Sequence, residues 1–348
     1  MTFQRPLIAP IANPVLEEAL RTKLKRRSET TGSLGELEPL AIQLGLIQNT
    51  LKPAFENPHI LLFAADHGLA VDGVGAALHR STAELVANLL ALRVPIAVFA
   101  QLQGMALSVV DAGVADRVHS HARLLARKIA HGTRNARAGP AMSNEQVQAA
   151  IRAGMEIGQH TRGNVVACAG IGVGAHESAA LVLSRLSGLE LAPLLAGVEA
   201  PDDPDLRRLL AILHGPQMRH RDAVEPLAVL GAFGGFEMAM MVGLMLVAAS
   251  QRHLLLVDGM PACAALMVAS LIAPGVTDYC VHTRSHGHRG LDEALALFNV
   301  AALLELGIES VDGTGATLAW PLVRSAAALL TEVADGEDPG PTLPAELR

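Results

Sequence analysis

Five times along the chain a short apolar run breaks into a turn rich in Gly and Asp and then into a helical stretch. Ile60–Ala65 runs into Asp66-His67-Gly68, and Leu107–Val110 into Asp111-Ala112-Gly113. Val165–Ala169 runs into Gly170-Ile171-Gly172-Val173-Gly174. Leu254–Val257 runs into Asp258-Gly259, and Ile308–Val311 into Asp312-Gly313-Thr314-Gly315. Strands that are apolar without interruption are buried on both faces, and their alternation with helices indicates a parallel sheet covered on both sides. In such sheets ligands gather beyond the carboxyl ends of the strands. The pattern predicts an α/β fold whose five turns converge on one edge.

Helix boundaries are legible as well. Ser81-Thr-Ala-Glu84 and Ser143-Asn-Glu-Gln146 are capping-box patterns, in which a hydroxyl and the side chain three residues on satisfy open amides. Pro95 opens a helix and Gly104 ends it, and a 3.6-residue apolar period from Leu318 to Leu330 predicts a C-terminal helix. The apolar run Met238–Ser250 is shorter than the roughly 18 residues a membrane span needs and reads as a buried helix. Leu194–Asp205 reads as a long connection, Arg117–Arg137 as a solvated basic face, and residues 335–348 as a frayed tail.

Composition excludes several function classes. With 51% apolar and 18% charged residues the chain is not disordered. Seven Phe, Trp320 and Tyr279 supply too few rings for a single-strand nucleic-acid platform, and a net charge of −7 draws no polyanion. Cys168, Cys263 and Cys280 lack a C-x-x-C spacing and read as buried thiols of a reducing compartment. The N-terminus has no apolar targeting core. These features predict a cytoplasmic protein with no membrane or nucleic-acid partner.

Gly170-Ile-Gly-Val-Gly174 suits a phosphate loop, since glycines let backbone amides approach an anion at a helix start. Asp312-Gly-Thr-Gly-Ala316 repeats the arrangement. Neither is a Walker loop, and a tight packing turn accounts equally well for each. Asp66, Asp111, Asp258 and Asp312 all stand at predicted strand ends. Each alone reads as a loop cap, but four around one mouth predict a catalytic or substrate-binding acid. The His286-x-His288 pair in Thr283–Arg289 lacks a third metal ligand and reads as an anion-binding or solvated loop.

The turns occur in a recognisable order. Thr31-Gly-Ser-Leu-Gly-Glu-Leu-Glu38, Phe63-Ala-Ala-Asp-His-Gly68, Val109-Val-Asp-Ala-Gly-Val114 and Gly170-Ile-Gly172 come first. Gly234-Gly-Phe-Glu237, Val257-Asp-Gly259, Ala273–Tyr279 and Gly313-Thr-Gly-Ala316 follow. Over roughly residues 10–333 the chain resembles the nicotinate-nucleotide:dimethylbenzimidazole phosphoribosyltransferase family. The resemblance implies a Rossmann-like parallel sheet flanked by helices, residues 40–315, with a small helical domain from residues 1–39 and 316–335 and a flexible tail beyond. It implies phosphoribosyl transfer from nicotinate mononucleotide to an aromatic acceptor base, giving nicotinate and an α-ribotide, in a homodimer without cofactor or metal.

Position by position, the family's general base falls at Asp312, where the family has Glu. The expected phosphate and nucleotide contacts are Gly170, Gly172, Gly174, Arg284, Ser285, Gly313, Thr314 and Gly315. The expected base pocket is Asp66, His67, Gly75, Glu84 and Asp258. The family's second active-site Glu falls at Cys168, its Asn-Thr-Thr at Val173-Gly174-Ala175, and a Gly-Thr-Gly loop at Val198-Glu199-Ala200. Gly75 stands for a Ser and Glu84 for a Gln. The alternative reading is an impaired relative that binds nucleotide or base, or one subunit of a heteromeric transferase.

Overall fold

The computed structural model describes residues 3–75, 80–195, 203–285, 290–308 and 310–333, the side chains of residues 29–31 aside. Six parallel strands form the central sheet: β1 (His59–Ala65), β2 (Ala106–Gly113), β3 (Leu124–Ala126), β4 (Val165–Ile171), β5 (Leu254–Val257) and β6 (Cys280–His282). Their order is β3-β2-β1-β4-β5-β6. All side chains of β4 and β5 are buried, as continuous apolar strands between helical layers must be. The chain builds outward from β1 to β2 and β3, then crosses back to lay β4 on the other side of β1. The strand order therefore reverses between β1 and β4, the switch point at whose carboxyl edge doubly wound sheets bind ligands.

The α/β expectation holds, with three corrections. Ile308 and residues 310–311 form no strand: the Ile308 carbonyl takes a guanidinium hydrogen bond from Arg284 instead of a ladder bond. The basic stretch read as a solvated face contains the edge strand β3, too short for its pattern to register. The strand β6 also goes unread in the sequence, for the same reason. Beyond it, β7 (Arg284–Ser285) pairs with β8 (Leu304–Glu305) as a separate two-stranded ladder. Val198-Glu199-Ala200, His286, His288 and the tail lie outside the described residues.

Small residues bring the helices close. Helix Phe236–Ser250 is buried along almost its whole length and packs against Asn144–His160. A Cβ on Gly154 would lie 1.9 Å from Met240 O, and one on Gly243 2.0 Å from Ile151 O. Only glycine lets these backbones touch. Helix Asn144–His160 starts with the full Ser143/Gln146 capping box, and Pro95–Leu102 starts at its proline. Thr82–Leu102 has the length and apolarity to cross a membrane, yet it is two helices, Thr82–Leu90 and Pro95–Leu102, separated at Leu92 with φ 58°. The C-terminal helix Thr314–Thr331 packs on Leu37–Gln48 and Pro14–Thr31, so both ends of the chain meet.

Candidate active site at the carboxyl edge of the sheet

The turn after β1 is knitted to its neighbours by Asp66. Its Oδ1 accepts the Thr82 hydroxyl at 2.5 Å and its Oδ2 the Ala115 N–H at 2.7 Å. Thr82 Oγ1 in turn accepts the Val173 N–H at 3.0 Å. Asp66 thus caps loops instead of presenting a free carboxylate. Asp111 does the same, accepting the Val114 N–H at 3.0 Å with Lys128 at 3.4 Å. His67 is buried, and its Nε2 lies 3.0 Å from Glu237 Oε1.

The glycine turn after β4 lies directly on the end of β1. Gly172 has φ +152°, and a Cβ there would fall 1.7 Å from Ala65 O. Gly174, at φ +83°, starts helix Ala175–Ser187. A Cβ on Gly170 would meet Pro261 Cβ at 2.6 Å. These glycines serve close packing, and the Val173 amide is already engaged. Gly75, at φ +75°, rests on this turn: a Cβ there would be 2.9 Å from Val173 Cγ1. Glu84 sits exposed on the first turn of helix Thr82–Leu90.

Above β5 stands a buried ionic cluster. Arg284 Nε donates to Asp258 Oδ1 at 2.8 Å and Nη2 to Asp312 Oδ1 at 2.8 Å. Burial works against the guanidinium's proton, but the two carboxylates outweigh it and raise the Arg284 pKa. Asp258 Oδ2 accepts the Gly313 N–H at 2.6 Å and the Gly315 N–H at 2.9 Å. An internal carboxylate therefore occupies the start of helix Thr314–Thr331, where an anion is favoured. This corrects the expected phosphate contacts at Gly313 and Gly315: their amides are taken by Asp258. Thr314 is buried too, its hydroxyl donating to Val311 O at 2.6 Å. Asp258 is accordingly a capping residue, and Arg284 is engaged by carboxylates.

Of this cluster Asp312 alone reaches outward, its side chain 27% exposed against 4% for Arg284. Gly259 makes room for it: a Cβ there would fall 2.2 Å from Asp312 Cγ. Ser285 borders a cleft of about 460 Å³ shared with Asp292, Leu295, Val300 and Glu305. Cys168, buried in β4, has its thiol pushed up to about 12 by burial and then by the charge of Asp258, so it offers neither anion nor nucleophile. Among the described residues no group of three or more His, Cys, Asp or Glu could hold a metal ion. Sequence reasoning missed Glu237 as a site residue. Its signal was an acid in the first turn of an otherwise apolar helix.

A family model described as phosphoribosyltransferase matches residues 9–340. The chain is 44% identical over 338 residues to the nicotinate-nucleotide–dimethylbenzimidazole phosphoribosyltransferase of Cupriavidus taiwanensis, covering 95% of this chain and 96% of the relative. The chain belongs to this phosphoribosyltransferase family. The same-named protein of Cupriavidus necator is 42% identical over 335 residues, 95% of this chain and 96% of its own. The crystal structure of the Thermus thermophilus phosphoribosyltransferase superposes with TM-score 0.84 at 29% identity, over 93% of this chain and 97% of that one. In this chain the turns after β1, β4 and β5 and the 312–315 turn lie near one edge, and Asp312 is the partly exposed carboxylate of the Asp258–Arg284–Asp312 cluster.

Proposed function

We propose that this phosphoribosyltransferase family member moves phosphoribosyl from nicotinate mononucleotide to an aromatic azole of the dimethylbenzimidazole type. The azole nitrogen forms a bond to the anomeric carbon, and the bond to nicotinate breaks with its electron pair passing to the pyridine nitrogen. The azole N–H proton goes to Asp312. The observation that carries the reading is the single outward-reaching carboxylate of a buried cluster, oriented by Arg284 at 2.8 Å. A general base must be held where it can reach its proton, and the Arg284 hydrogen bond supports that role for Asp312. The passing oxocarbenium charge is stabilised by the same anionic edge. In this reading the nucleotide lies over the carboxyl edge of the sheet beside the turns after β1 and β4, with the azole beside Asp312.

The reading also takes the chain as a cytoplasmic homodimer, and its two termini, residues 1–39 and 316–335, as a small helical domain beside the 40–315 domain. Three buried free thiols support a reducing compartment. A second reading, a nucleotide binder or one subunit of a pair, draws on Cys168, a buried thiol at the position where the resemblance implies a Glu. One assay decides between them. Purified protein is incubated with nicotinate mononucleotide and a panel of azoles and phenols, and free nicotinate and new ribotides are quantified. Nucleotide binding without nicotinate release selects the binder.

A further inference from the structure

His67 is wedged between two turns that have no side chains to spare. Its ring Cε1 lies 2.4 Å from where a Cβ on Gly235 would stand, and its Cβ 3.0 Å from that of Gly174. Its backbone N–H donates to Val173 O at 3.2 Å, and its Nε2 meets Glu237 Oε1 at 3.0 Å. One residue thereby joins the turn after β1, the turn after β4 and the start of helix Phe236–Ser250. Glu237 is wholly enclosed, and its second oxygen, Oε2, has no hydrogen-bond partner among the described residues. A buried carboxylate in that state is costly unless a cation balances it, and the imidazole is the group in contact.

The charges around the ring agree. Asp66 faces it from the turn after β1, Glu177 from helix Ala175–Ser187 and Glu237 from helix Phe236–Ser250, while the 172–174 turn brings no titratable group. Burial is the largest single influence and opposes the proton. The Glu237 charge and hydrogen bond, with Asp66 and Glu177, outweigh it and raise the His67 pKa.

We propose that His67 is a positioning residue: as a cation clamped by Glu237 it fixes the 172–174 turn in the shape that receives the nucleotide, and loss of its proton releases that turn. The ligand's identity rests on the phosphoribosyl-transfer reading; the latch itself does not. The test compares the full-length protein with Glu237→Gln, which keeps a hydrogen-bonding group but not the charge, and with His67→Gln. Nicotinate mononucleotide affinity is measured by calorimetry from about pH 5.5 to 9, the range a perturbed imidazole spans, and the His67 ring is titrated by NMR. The nucleotide's own phosphate titration is common to all three proteins and cancels in the comparison.

For the unsubstituted protein the affinity is expected to fall about tenfold as His67 loses its proton, centred about half a pH unit above the NMR midpoint of the free protein, as linkage requires. In Glu237→Gln the midpoint moves down by about one pH unit or more, since burial then acts with less opposition. In His67→Gln the affinity is low and shows only the nucleotide's own titration. Superimposable affinity profiles for the three proteins, or an affinity midpoint unrelated to the His67 titration, overturn the proposal. The midpoint comparison in the unsubstituted protein decides the matter even where a variant fails to fold. Shifted affinity profiles without any ribotide formed leave the latch standing and remove the transferase reading. Ribotide formation with superimposed profiles does the reverse.

Discussion

Replacing Asp258 with Ala removes the carboxylate around which the last turn is built. Three hydrogen bonds disappear together: from Gly313 N–H at 2.6 Å, from Gly315 N–H at 2.9 Å and from Arg284 Nε at 2.8 Å. Asp258 is 1% exposed, so water does not replace them. Breaking a buried ion pair costs about 3–5 kcal/mol, and losing a helix cap about 1 kcal/mol. Arg284 keeps Asp312, which offsets part of the first figure, so the net loss is about 4 kcal/mol. Arg284→Met costs less, about 2 kcal/mol, because Asp258 retains both amide donors. In the double variant neither charge is left stranded, and the loss falls short of the sum by about 2 kcal/mol. Urea unfolding measures all three, with coincident transitions by circular dichroism and by the fluorescence of Trp320, which lies in the capped helix. Additivity within about 0.5 kcal/mol would refute the coupling and reduce Asp258 to a cap alone.

Further outcomes follow from the same geometry. Asp312→Asn lowers phosphoribosyl transfer by about 100-fold or more with nucleotide affinity unchanged by calorimetry, and Asp312→Glu raises turnover of dimethylbenzimidazole by restoring reach. Gly259→Ala, whose Cβ would fall 2.2 Å from Asp312 Cγ, displaces that carboxylate and lowers turnover more than nucleotide affinity. Gly154→Ala, 1.9 Å from Met240 O, separates the two packed helices and lowers the thermal midpoint by several degrees, read by calorimetry. Burial holds His282 at about 4 against an ordinary 6.5. The unfolded chain therefore binds the extra proton between those values, and stability falls as pH drops from 6.5 to 4. The full loss is about 3 kcal/mol, and the urea midpoint of His282→Leu varies less over that window.

The sequence by itself determined the class of fold. Uninterrupted apolar runs such as Val165–Ala169, each closed by glycines, leave a chain little choice but a parallel sheet between helices, because both strand faces must be buried. It also determined the gathering of Asp66, the 170–174 turn and Asp258 on one edge, since parallel strands all end on the same side; Asp312 follows no strand and is held beside Asp258 through Arg284. The family was legible from the order of short motifs. Which acid does what was decided by tertiary structure alone. Asp66, Asp258 and Asp312 are alike as letters after an apolar run. Contacts between residues far apart in the chain turn the first into a loop tie and the second into a helix cap, and leave the third partly exposed and held by Arg284. The glycines divide in the same way: Gly172 is required by the Ala65 carbonyl, a neighbour over a hundred positions away. A carboxylate's role depends on which donors surround it and on whether water reaches it, and both are set by packing, which local pattern does not encode.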